Sequence, residues 1–154
     1  MVRFMNTLNL VARGGVAAAF IAIATIHVYW ARGGFWPGHD PASLFDAVVG
    51  APLIPGARRP YGERPGPPPS AAMLVATAFV AASAAVLFGA PNGPLRPLYA
   101  AFAFVFALRG TVGFADRWLR PATVGSAFAR LNVVFYSPLC LALAASLLLL
   151  MRTG

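Results

Sequence analysis

The sequence predicts an all-α fold: a four-helix transmembrane bundle with a long loop, holding a short interfacial helix, between helices one and two. Three observations carry this. The chain of 154 residues is 59% hydrophobic and only 10% charged, with mean hydropathy +0.72, whereas soluble domains carry roughly a quarter charged residues. Its apolar residues gather into four segments, each near the roughly 20 residues that cross a hydrocarbon core. Backbone groups inside that core must be satisfied within the segment, so each is expected to be a helix. The length suits a single domain over residues 1–154.

The first segment is placed at about residues 14–31, a little short for a span. Its approach, "MVRFMNTLNLVARGGVAAAFIAIA", has the basic start and Ala-Ile-Ala of a signal peptide. The apolar run continues past that point without a polar break, so it is read as a membrane helix. Residues 32–70 form the long loop. In "HDPASLFDAVVG", Asp40 can cap a short helix, Pro41 suits its first turn and Gly50 its end. Leu44, Phe45, Val48 and Val49 would share one face, lying in the interface or folded back onto the bundle. "GARRPYGERPGPPPS" has too many prolines and too little apolar area to pack, and reads as an extended linker.

The second segment, about 71–90, has no charge. "APNGPLRP" is turn chemistry, joining it in a tight antiparallel hairpin to the third, about 98–116. The fourth runs over about 131–151, approached by the amphipathic "RWLRPATVGSAFAR". Alanine and glycine crowd every segment and permit close helix–helix approach.

Charge excludes some function classes. The net charge is +8, and all twelve basic residues are arginine, a bias expected of a GC-rich bacterial genome. No basic run interleaves with aromatics on a soluble segment, so nucleic acid is excluded as a partner. Arginines at the ends of apolar segments instead fit loops beside anionic headgroups. The arginine bias favours cytoplasmic long loops, although Arg3 and Arg13 pull the opposite way. Cys140 is the single cysteine. It excludes an intrachain disulfide, and no Cys/His cluster offers a metal site. In its apolar surroundings it is expected to be a small, inert hydrophobe.

Helices one and three run in one direction and two and four return. His27, Arg109, Asp116, Tyr136 and Ser137 therefore belong to the same half of the membrane, on the side of the Trp36-Pro37-Gly38-His39-Asp40 loop. At ~1.5 Å per residue, Arg109 would sit about 10 Å inside its segment and Tyr136 about 8 Å. The opposite half is expected to be almost wholly aliphatic.

Arg109 is the sharpest signal. An arginine inside an apolar segment costs about 2.5–3.5 kcal/mol unless it faces a partner or water. It reads as a clamp for an anion, carbonyl or headgroup, or more plainly as a snorkelling residue or helix staple. Asp116, seven residues on, shares its face and pairs with it only if both side chains reach. Pro138 cannot donate, so a carbonyl one turn earlier, near Val134, is freed to accept from Arg109 or Tyr136. His27 is the first candidate for proton transfer, since histidine titrates near neutrality; its plain reading is a structural hydrogen bond. One histidine does not supply both axial ligands of a haem, and the cofactor, if any, is left unknown. Tyr29, Trp30, Trp36 and Trp118 fit an aromatic belt at headgroup level, with Trp36-Pro37-Gly38 as a lid turn. Tyr136-Ser137 lack the partners of a serine hydrolase.

"IHVYWARGGFWPGHD", "LFDAVVG", the helix-three "LRG" and "FARLNVVFYSPLCLAL" together resemble a bacterial family of small four-helix membrane proteins of unknown function. That family is similar in its His-x-Tyr-Trp-Ala-x-Gly-Gly end to helix one, its helix-three arginine and its Tyr-Ser-Pro-Leu-Cys start to helix four. The resemblance implies that His27, Tyr29, Trp30, Arg109, Tyr136, Ser137, Pro138 and Cys140 occupy motif positions. It implies no reaction. Some of that family carry an aspartate around Gly113 or at position 132, where this chain has Gly113 and Asn132; chemistry resting on those carboxylates is lost here or falls to Asp116.

The expected function is binding of an amphipathic ligand (a lipid headgroup, quinone or similar carbonyl compound) at the long-loop face of a bacterial plasma-membrane protein. His27, Tyr29, Trp30, Trp36, Arg109, Asp116, Tyr136 and Ser137 would line the site, with residues 35–49 closing over it. The alternative is an accessory or assembly subunit of a larger membrane complex, or a homo-oligomer within the bilayer. Whether a reaction follows binding is open.

Overall fold

The computed structural model describes residues 2–50 and 68–153, with side chains from residue 7 onward. The proline-rich linker expected between the two lies outside the described residues. Six α-helices follow in order: α1 (Val2–Ala31), α2 (Pro41–Val48), α3 (Pro69–Phe88), α4 (Arg96–Leu119), α5 (Ala127–Leu131) and α6 (Ser137–Thr153). A π turn, Asn132–Tyr136, joins α5 to α6, so the last two form one continuous rod. No strand occurs among the described residues. Among the described residues four helical rods are long and apolar enough to cross a membrane: Thr7–Ala31, Pro69–Phe88, Arg96–Leu119 and Ala127–Thr153. This is the all-α four-helix bundle of a multi-pass membrane protein.

Helix one begins twelve residues before the position expected for it. A Cβ at Gly14 or Gly15 would meet nothing within 4 Å. The helix simply passes through them on an open face. Helix three runs on to Leu119 and the fourth rod begins at Ala127, where Ser126 caps it by accepting from the Ala129 N–H. A 3-10 turn at Pro121–Thr123 makes the connection.

The core is centred on Phe20 of α1, fully buried. Its ring meets Phe79 of α3 at 5.3 Å, Phe102 of α4 at 5.7 Å and Phe106 of α4 at 5.8 Å between centroids. Offset and edge contacts of this kind add about 0.5–1.5 kcal/mol each beyond area burial. Val16, Ala103, Leu143, Leu147 and Leu150 complete the seam. Cys140 packs against it as a small apolar side chain. The helices pair as α1 with α3 and α4 with α6, with α1 also touching α6.

The half of the bundle nearest the termini is not wholly aliphatic. Arg13 of α1 donates to the carbonyls of Val86 (3.0 Å) and Gly89 (2.8 Å) and to Asn9 Oδ1 (2.9 Å). Those two carbonyls end α3, where no further helical N–H reaches them and the helix dipole is negative. Tyr99 Oη donates to the Ala85 carbonyl at 3.0 Å, and Ser83 Oγ to that of Ala17 at 3.2 Å. Three helices are thus tied at that end.

The interfacial helix forms where its local chemistry places it. Asp40 Oδ1 accepts from the Ser43 N–H at 2.7 Å, and Ser43 Oγ accepts in return from the Asp40 N–H at 3.0 Å. This reciprocal cap satisfies two donors. Gly50 ends the helix at φ +74, and a Cβ there would come within 2.7 Å of the Phe128 ring. Ala42, Leu44 and Ala47 are buried, so α2 is folded onto the bundle. Val49, beyond the helix end, is exposed.

Candidate functional site

Pro138 shapes the polar half of the site. Its ring cannot donate and would press on the carbonyl one turn earlier. The chain answers by widening the preceding turn: the Ser137 N–H reaches back five residues to the Asn132 carbonyl. That register stacks Asn132 directly before Ser137, and both are fully buried. Ser137 Oγ donates to Asn132 Oδ1 at 3.3 Å, while Asn132 Nδ2 donates to the Gly113 carbonyl of α4 at 2.8 Å. A π turn inside an α-helix is a frequent mark of a functional position.

Helix α4 offers glycine where this pair arrives. A Cβ on Gly110 would lie 2.7 Å from Leu141 Cγ and 3.0 Å from the Ser137 carbonyl oxygen. A Cβ on Gly113 would collide with Ser137 Oγ, and would lie 2.7 Å from Arg109 Nη1 and 3.1 Å from Asn132 Oδ1. The missing methyl of Gly113 is therefore the point on which Arg109, Asn132 and Ser137 converge. Because α4 continues to Leu119, Arg109 lies about 15 Å from that helix end, deeper than the sequence predicts.

Arg109 is half-buried. Among the described residues its guanidinium makes no hydrogen bond and no ion pair, although the Tyr136 hydroxyl and Cys140 thiol lie within its electrostatic reach. Asp116 does not supply the partner that their shared face allowed. Its Oδ1 accepts from Arg120 Nε at 2.6 Å, because a residue one turn away is nearer than one two turns away. Asp116 Oδ2 is buried without a hydrogen bond. Arg120 also donates to the Val49 carbonyl at 2.9 Å and lies over the Phe128 ring at 4.7 Å. It thus fastens the end of α2 to α4 and α5.

His27 belongs to a second group. Its Nδ1 is 2.7 Å from the Ile23 carbonyl oxygen, and its ring meets Trp30 at 4.8 Å and Phe79 at 6.4 Å. Trp30 donates through Nε1 to the Trp36 carbonyl at 2.7 Å. His27 and Trp30 line a cavity of about 160 Å³, walled otherwise by apolar side chains of α2, α3 and Val49. Tyr29 is exposed, its ring covering Gly34. Trp36 is 64% exposed and does not line that cavity. Trp118 is also exposed, with Arg117 stacked 3.9 Å above its ring.

The residues predicted for one site therefore form two neighbouring groups. Arg109 and Ser137 meet between α4 and α6; His27 and Trp30 meet between α1, α2 and α3. Helix α2 touches both, since its Leu44 and Phe45 wall the cavity and its Ala47 carbonyl accepts from Tyr136 Oη at 3.5 Å. Asn132 is the residue that sequence reasoning left outside the site. Its signal was five-residue spacing from Ser137 next to a proline, which becomes informative only once a π turn is in view. Among the described residues no three His, Cys, Asp or Glu side chains gather to hold a metal ion.

No curated protein and no solved structure matches the chain. One family model does, over residues 20–147, a span that includes His27, Arg109, the π turn and α2. The chain belongs to the family described as "Protein of unknown function (DUF3995)".

Proposed function

We propose that this protein binds the polar group of an amphipathic molecule, an anionic headgroup or a carbonyl compound such as a quinone, against Arg109 in a bacterial inner membrane. One observation carries the reading: a guanidinium deep in an apolar helix, beside the buried Asn132–Ser137 pair, with no hydrogen bond among the described residues. Such a group costs several kcal/mol unless an acceptor or water meets it. Asn132 and Ser137 already satisfy one another and the Gly113 carbonyl, so they position Arg109 without neutralising it. An acceptor from the bilayer or the aqueous face would complete its hydrogen bonding. Tyr136 stands nearby, its hydroxyl hydrogen directed at the Ala47 carbonyl.

Native mass spectrometry of the protein released in mild detergent tests this. Wild type is expected to carry a small-molecule adduct that Arg109→Leu loses while keeping the same helical circular dichroism. Equal retention by both proteins sinks the proposal. A second reading, an accessory subunit of a larger complex, is favoured by α3. That helix is uncharged, packs chiefly on α1 and leaves Met73, Leu74, Val80 and Leu87 exposed. Bare protein attached to other subunits in the same spectrum would support it.

A further inference from the structure

The cavity at His27 has a size and a chemistry of its own. Its volume of about 160 Å³ is close to the ~150 Å³ that accommodates a benzene ring in an engineered apolar cavity, but it is a cleft about half open to its surroundings rather than an enclosed void. Leu44, Phe45, Ala72 and Val75 supply apolar walls, and Trp30 and His27 supply aromatic ones. The polar capacity of those two rings is largely spent. Trp30 has one donor, and it is used on the Trp36 carbonyl.

His27 is left with a single function. The Ile23 carbonyl, 2.7 Å from Nδ1, can only accept, so Nδ1 carries the hydrogen. In the neutral ring Nε2 then holds the lone pair. Among the described residues Nε2 makes no hydrogen bond and, not being sealed away, stays accessible. The cleft is therefore ring-sized and largely apolar, and the ring in its lining with an unused acceptor is that of His27.

We infer that this cavity binds a single aromatic ring bearing a hydroxyl, a phenol or the phenolic end of a lipid-soluble molecule, whose O–H donates to His27 Nε2. A plain arene would leave the imidazole lone pair unmet, and an anion would face a lone pair and apolar walls. This site stands apart from the one proposed at Arg109, which asks for an acceptor rather than a donor.

The test uses the full chain in mild detergent with ¹⁵N-labelled histidine. The probes are 4-ethylphenol and 4-ethylanisole, which share a ring but not the donor. The Nε2 resonance of His27 is expected to move saturably with the phenol, with at least tenfold weaker response to the anisole. His39, whose side chain is 82% exposed, should stay unmoved and reports nonspecific partitioning. A parallel titration with 4-dodecylphenol separates the sources: a response to both phenols marks a ring delivered on a lipid tail, a response to the short one alone a free phenol. Equal response to phenol and anisole, or none to either, overturns the inference. Val75→Phe, which fills the cavity from α3, should abolish the shift with unchanged circular dichroism; a shift that persists in that variant also overturns it. Arg109→Leu should leave the phenol response intact, so failure at one site is distinguishable from failure at the other.

Discussion

Two arginines lie inside the membrane-spanning helices, and their surroundings differ in one respect. Arg13, on the side of the termini, spends its donors on two carbonyls at the end of α3 and on Asn9. Arg109, in the opposite half, faces Asn132 and Ser137 across the gap at Gly113 and makes no hydrogen bond among the described residues. The first is a helix cap supplied from another helix: its charge meets orphan carbonyls and the negative end of a dipole. The second has donors of the same kind and no acceptor. An intramembrane arginine is thus not one kind of residue. What surrounds it decides whether it holds the bundle together or waits for something outside it.

The largest expected effect separates the two directly. Arg13→Leu should destabilise the bundle by about 3 kcal/mol, since each hydrogen bond to a charged group contributes about 1.5–3 kcal/mol and the freed carbonyls face hydrocarbon. Arg109→Leu should be no less stable than wild type, because no hydrogen bond is broken when an unpaired charge leaves an apolar helix. Equilibrium unfolding by SDS in mixed micelles measures both. Equal losses would erase the distinction between staple and clamp.

Gly113→Ala comes next. Its Cβ would strike Ser137 Oγ and crowd Arg109 Nη1, on the part of α4 packed against the π turn. Overpacking at such a contact costs about 1–3 kcal/mol. The same unfolding assay should show about 2 kcal/mol lost. Gly14→Ala, beside the staple, meets open space and should gain a few tenths from helix propensity. A neutral Gly113→Ala would mean that the two helices approach less closely than this geometry requires.

Asp40→Ala probes α2, which touches both the His27 and the Tyr136 groups. Losing a side-chain cap costs about 1 kcal/mol, confined here to an eight-residue helix. Hydrogen exchange should rise in α2 and leave the amides around Arg13 unchanged. Faster exchange at both ends would show that α2 supports the whole bundle instead of covering one half.

How much of this was legible in the sequence depends on the kind of information each residue carries. Counting residues along antiparallel helices places Arg109, Tyr136 and Ser137 at the same end of the bundle as His27, and α2 touches both groups. Counting does not give azimuth, and the helices' pairing turns His27 toward α3 and Arg109 toward α6. Local chemistry was fully readable at α2, where Asp40, Pro41 and Gly50 each act within a few residues. The polar end at Arg13 was hidden because the apolar run was counted only from about residue 14, which placed Arg13 outside the helix. Asn132 was hidden for another reason. Pro138 announces a disturbed ladder, but only the packing against Gly113 decides that the disturbance is a π turn.

The finest separation comes from Asn132→Asp, which is read in binding rather than in stability. The new carboxylate would sit beside Arg109, with Oδ1 placed as Asn132 Oδ1 is now, 3.1 Å from the vacant Cβ position that Arg109 Nη1 approaches to 2.7 Å. The ion pair gained is opposed by the lost amide hydrogen bond to Gly113, whose carbonyl would then face a carboxylate oxygen, so a net cost of about 1–3 kcal/mol is expected. Arg109 would then resemble Arg13, a charge with its acceptor built into the fold. If an unmet guanidinium is what draws the ligand, Asn132→Asp should lose the adduct in native mass spectra as completely as Arg109→Leu does. An adduct retained by Asn132→Asp but lost by Arg109→Leu would mean that the ligand needs the arginine side chain without needing its free charge. The resemblance between the two arginines would then be closer than their hydrogen bonds indicate.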